Sequence, residues 1–142
     1  MFSIILGNLL VGPLAGFSII NIPFLIVTFV LGIIINSLIR VGISLSSFWF
    51  EESLPFHWIY DKLILVVGTL FPLELFPLWV QPILKYTPIF VVTYGPAKLA
   101  VDFSINMFYN VLLFQLLYLI ISILLLILIY KKGVKKLNVN GG

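Results

Sequence analysis

The chain is 142 residues long, 62% hydrophobic and 9% charged, with a mean hydropathy of +1.24. Soluble domains carry about 25% charged residues, so this composition fits a bilayer and argues against a water-exposed fold. A net charge of +3 does not point to nucleic acid, because four of the eight cations sit together as Lys131, Lys132, Lys135 and Lys136. There is no cysteine, which excludes disulfides, thiolate metal sites and cysteine nucleophiles.

Two long stretches, from Phe2 to Ile39 and from Phe103 to Tyr130, contain no charged side chain. One Arg or Asp at mid-membrane costs roughly 2.5–3.5 kcal/mol on insertion scales, so spanning helices avoid them. The expected fold is an all-α integral membrane protein of about four transmembrane helices, with a proline-broken re-entrant segment before the last one. The whole chain, 1–142, reads as a single transmembrane domain.

The first span is expected at about 2–20. Met1-Phe2-Ser3 lacks the basic start of a secretory signal, so this run is expected to be retained. Asn8, Gly12 and Gly16 recur at four-residue spacing, and Gly12 with Gly16 makes a GxxxG pair that lets another helix approach closely. Asn21-Ile22-Pro23 breaks the run, and a second span follows at about 24–47.

In that second span Thr28, Gly32, Asn36 and Arg40 fall at successive four-residue steps on one arc of the helix. Polar residues in a span face protein or a water-filled cavity, which makes Asn36 and Arg40 candidates for path lining or packing. Arg40, near the helix end, can instead reach up to the lipid headgroups. Residues 48–62 alternate aromatics with charges, as in a short turn or helix along the membrane interface.

A third span is expected at about 62–80 and the re-entrant segment at about 81–101. Pro72, Pro77, Pro82, Pro88 and Pro96 forbid a straight helix here, because each interior proline deletes a backbone hydrogen bond. Irregular backbone at membrane depth must be buried in protein or line a cavity. Glu74, between Pro72 and Pro77, needs water or a cation if it lies at that depth.

The last span is expected at about 105–130, with Asn106 and Asn110 on one face and Gln115 and Ser122 on another as interhelical hydrogen-bonding groups. The lysine cluster then opens a tail, 131–142, and places the C-terminus in the cytoplasm. Four crossings put the N-terminus in the cytoplasm as well. Three crossings, with 63–101 not passing through, put it outside.

The reactive inventory is thin: Glu51, Glu52, His57, Asp61, Glu74, Asp102 and the lysines. Glu51-Glu52 with a single histidine is too little for a metalloprotease site. No phosphate-binding Gly-x-x-x-x-Gly-Lys loop is present. No catalytic residue, metal or cofactor is expected.

Several motifs in order carry a resemblance. Phe48-Trp49-Phe50-Glu51-Glu52 precedes Gly68-Thr69-Leu70-Phe71-Pro72-Leu73-Glu74-Leu75-Phe76-Pro77-Leu78-Trp79. Tyr94-Gly95-Pro96-Ala97 and the basic tail ending in Gly141-Gly142 follow. Together, over about residues 45–142, they resemble the C-terminal half of ABC type-2 permeases. The resemblance implies a transmembrane subunit, itself non-catalytic, of an ATP-driven exporter in the plasma membrane. It implies partnership with a separate ATPase subunit and a homo- or heterodimer with another permease subunit, in contact with lipid and not with nucleic acid. Such permeases have about six spans, and this chain starts near what would be the third, which fits a truncated or split gene product or a fragment. The alternative is a small accessory or assembly membrane protein with no transport of its own.

Overall fold

The computed structural model describes residues 18–140, with side-chain surroundings for residues 18–136. Every regular element among them is helical. Two are long and apolar enough to cross a membrane, by length and composition. The first, α1 (Ile22–Leu45), has Pro23 in its opening turn, where a missing N–H costs nothing. Short 3₁₀ turns flank it at Ile19–Asn21 and Ser46–Phe48. The other is the last helix, Ile105–Asn140. The expected first span, with Asn8, Gly12 and Gly16, lies outside the described residues.

Between them the chain forms three shorter helices. Helix α2 (Leu54–Leu63) runs on without a break into a π-helical stretch, Ile64–Leu70. Helix α3 (Gln81–Lys85) follows a 3₁₀ turn at Leu73–Leu75. A second π-helical stretch, Phe90–Tyr94, leads into α4 (Gly95–Val101), and Ile105–Asn140 is then α5.

These boundaries differ from the expected third span at 62–80. The helix begins eight residues earlier, because Pro55 suits a first helical turn. It ends at Leu70, because Pro72 drives the preceding residue out of the helical region, and Phe71 is extended at φ −107°, ψ 110°. The stretch expected as a tail from residue 131 is a helical continuation of α5 as far as Asn140.

Helices α1 and α5 run side by side and parallel. Phe24 meets Phe108 edge-on at 5.0 Å, Gln115 reaches the Thr28 carbonyl, Gly42 lies beside Leu126, and Phe48 meets Tyr130. Numbering therefore rises together along both. The chain between them must return once from the Leu45 end to the Ile105 end.

Helix α2 begins that return. His57 pairs with Ser44, Tyr60 with Asn36 and Asp61 with Arg40, so α2 runs antiparallel to α1. Glu74 then sits beside Tyr94 and Lys98, close to the level where α5 starts. From there the chain doubles back. Tyr86 packs on Phe114 at 5.1 Å, and its carbonyl accepts from the Tyr118 hydroxyl. Residues 88–101 climb again, antiparallel to α5, until Leu99 joins Leu25, Phe108 and Val111 in the core. Residues 71–101 thus form a hairpin whose two ends lie at one level and whose tip reaches partway down α5.

Candidate functional site

The hairpin is held by a backbone exchange that its prolines create. Gly95 N–H bonds to the Phe90 carbonyl, five residues back, in the π register. In that register Pro96 is the partner of Val91, and it has no N–H to give. The Gln115 side chain supplies the missing donor: its Nε2 gives 2.8 Å hydrogen bonds to both the Val91 and Thr28 carbonyls. Gln115 is fully buried. Gly32 permits this approach, since a Cβ there would lie 3.0 Å from the Val92 carbonyl oxygen.

The two π-helical stretches also face each other. A Cβ at Gly68 would overlap Thr93 Oγ1, which is bonded to the Ile89 carbonyl at 2.6 Å. Gly68 is therefore a point of close approach between the π-helical continuation of α2 and the hairpin.

Two polar regions emerge. The first is a seam between α1 and α2. Asn36 accepts from the Tyr60 hydroxyl at 3.0 Å, Arg40 pairs with Asp61 at 2.6 Å, and Ser44 Oγ lies 3.0 Å from His57 Nε2. The Arg40 guanidinium also stands 5.7 Å above the Tyr60 ring. Thr28 and Gly32, on the same arc, are buried. The arc read from the sequence is thus a helix-helix contact, and Arg40 finds a carboxylate on α2 as well as any headgroup within reach.

The second is a cleft of about 640 Å³ between the hairpin and α5. Its walls carry Leu73, Phe90, Met107, Val111, Leu113 and Phe114, and its polar groups include Glu74, Lys85, Lys98 and Asn110. Glu74 accepts from Tyr94 and Lys98, each at 2.6 Å. On the turn beyond the end of the α2 helix, the Lys98 ammonium, aided by the Tyr94 hydroxyl, holds the Glu74 carboxyl down at about 2. Among the described residues Glu74 with Lys98 and Arg40 with Asp61 are the ion pairs, and Lys85 has none.

The sequence-derived residues therefore separate. Glu74, Tyr94 and Asn110 meet at the cleft; Asn36 and Arg40 belong to the seam; Asn106 is exposed beyond the cleft lining. Phe48, Trp49 and Glu51 lie at the turn after α1, where a Cβ on Gly133 would overlap the Phe48 ring. Phe71-Pro72-Leu73 and Phe76-Pro77 shape the turn that carries Glu74, and Trp79 is exposed on it. Sequence reasoning missed Lys85, Tyr86 and Phe114 as cleft residues, because their meeting depends on how far the hairpin descends. Gly141 and Gly142 lie outside the described residues. Among those residues no three His, Asp or Glu side chains gather as metal ligands.

Helix α5 is long and apolar enough to cross a membrane, and the rest of the protein leaves most of it uncovered. Only 6% of its most apolar window is buried within the protein, whereas the core helix of a soluble domain hides its apolar side chains. Leu113, Ile120, Leu124 and Leu128 are each more than half exposed. The described residues are all-helical, and two of their helices can cross a membrane. The whole described chain and nearly all the rest, residues 1–141, match the family of ABC-2 family transporter proteins, and the chain belongs to that family. The match reaches well before residue 45, where the motif resemblance began. No match was found among curated proteins or solved structures.

Proposed function

We propose that the chain is a permease subunit of an ATP-driven ABC exporter, forming part of the substrate path and leaving ATP hydrolysis to a separate subunit. Family membership supports the transport assignment. The parallel course of α1 and α5 carries the topological reading: both cross in the same direction, α2 returns between them, and residues 71–101 enter and leave from one side as a re-entrant hairpin.

With the span expected at 2–20, this makes four crossings. The positive-inside preference of Lys131, Lys132, Lys135 and Lys136 sets the C-terminus in the cytoplasm of the plasma membrane. Glu74 and Lys98 then lie toward the outer face, and the Arg40–Asp61 pair toward the inner one. The cleft is the substrate-path element, with Glu74 and Asn110 on its lining, while Asn36 and Arg40 keep α1 against α2. ATP binding on the partner subunit shifts the balance between two packings of hairpin and helices, as any ligand with unequal affinity for two states does. A second permease subunit, identical or different, completes the path.

The direct test is purification of the tagged chain from its native membrane. An ATPase subunit is expected to accompany it; its absence, with only self-association or another membrane protein present, favours the accessory role. Orientation is tested with a cysteine at position 74, which is expected to react with impermeant reagent from outside. Reaction only from the cytoplasmic side overturns the four-crossing arrangement.

A further inference from the structure

We infer that the cleft between the hairpin and α5 binds a single-chain amphiphilic anion, with its acidic head on Lys85 and its apolar body against Met107, Val111, Leu113 and Phe114.

Depth is the first consideration. Lys85 adjoins Tyr86, which packs on Phe114 and receives the Tyr118 hydroxyl. Those two residues lie nine and thirteen positions into α5, about 14 and 20 Å along its axis. A hydrocarbon core is about 30 Å thick, so the tip of the hairpin stands near its middle. A cation at that depth needs an anion or water.

Charge complementarity selects the head. Glu74 is occupied by Lys98 and Tyr94. Lys85 lines the same cleft and has no acidic partner among the described residues. With Glu74 and Lys98 neutralising each other, Lys85 leaves the lining one net positive charge, which favours a ligand with one negative group.

Size and opening select the body. A volume of about 640 Å³ lies within the roughly 300–1,000 Å³ in which proteins hold small molecules. That suits one chain better than a two-chain phospholipid. Leu113, on the lining, is 60% exposed, so the cleft opens sideways along α5. An acyl chain can enter from the surrounding hydrocarbon without first passing through water.

This deepens the reading of the cleft as a path element by naming what it takes. Binding is nevertheless measured without any ATPase, so its failure leaves the subunit partnership untouched, and failure of the partnership leaves binding untouched. The protein is placed in nanodiscs of zwitterionic phosphatidylcholine and exposed to a palmitate analogue carrying a photoreactive diazirine on its chain. Label is expected within residues 85–94 and 107–114, displaced by oleate but not by oleyl alcohol. Lys85→Gln is expected to weaken labelling by about tenfold, and Leu113→Trp, at the exposed lip, to block it sterically. Lys62→Gln, away from the cleft, is expected to change nothing. Circular dichroism of each variant in the nanodisc establishes that the helices are retained, and Lys85→Arg is expected to restore labelling. Equal displacement by the alcohol, indifference to Lys85→Gln, or label spread evenly over the exposed α5 residues Leu124 and Leu128 overturns the assignment.

Discussion

The amide of Gln115 donates to the Val91 carbonyl at 2.8 Å, replacing the backbone donor that Pro96 lacks. One buried side chain on α5 thereby completes the hydrogen bonding of a helix it does not belong to. It bonds α1 through the Thr28 carbonyl in the same stroke. Interhelical side-chain bonds in membranes are worth about 0.6 kcal/mol on average and about 1.7 at most. Gln115→Leu is therefore expected to cost about 1–3 kcal/mol in detergent unfolding. Pro96→Ala returns a donor to the hairpin, so the double variant is expected to lose less than the two single losses combined. Strict additivity removes the proposed compensation.

Gly68 offers a steric test. A methyl group there overlaps Thr93 Oγ1, and overpacking of this kind costs about 1–3 kcal/mol. Gly68→Ala is expected to lower the unfolding midpoint. Thr93→Ala in the same chain is expected to recover part of the loss, because the Thr93 oxygen is the nearest obstacle. Full retention of stability in Gly68→Ala removes the close contact between the two π-helical stretches.

The seam predicts weaker effects. Arg40 and Asp61 side chains are 41% and 49% exposed, and partly exposed pairs contribute about 0.2–1 kcal/mol. A double-mutant cycle with Arg40→Gln and Asp61→Asn should yield a coupling in that range, falling with added salt. Coupling of several kcal/mol contradicts the exposed geometry.

Glu74 predicts a pH response. Its folded value near 2 lies below the ordinary 4.5, so its contribution is complete above about 4.5 and disappears as pH falls toward 2. Lys98 is shifted upward by the Glu74 carboxylate, so its share persists below 10.5 and is lost only as pH rises beyond that. Spin labels at the exposed positions 75 and 101 should give one narrow distance distribution at neutral pH. That distribution should broaden between pH 4.5 and 2, and Glu74→Gln should broaden it already at pH 7. A pH-independent distribution separates turn docking from the ion pair.

Much of this architecture was legible in the residues. The charge-free run from Phe103 to Tyr130 specifies an apolar helix whatever its neighbours, and Pro23 sets a helix start without reference to anything distant. Prolines 72 to 96 exclude a straight rod, which is the hairpin in outline. The four-residue rhythm of Thr28, Gly32, Asn36 and Arg40 puts them on one arc of α1 by helical period alone, and what they touch there is not legible in it.

Composition and local pattern thus determined the medium, the helical class and the places where helices must break, because those follow from solvation and from backbone bonds lost at proline. Only the tertiary structure decided that α1 and α5 run parallel, that Asn36 and Arg40 meet Tyr60 and Asp61, and that Lys85 joins Glu74 around one cleft. Such meetings depend on the depth and direction of the hairpin. In this chain these are set by contacts between residues up to 87 positions apart, beyond the reach of any local periodicity.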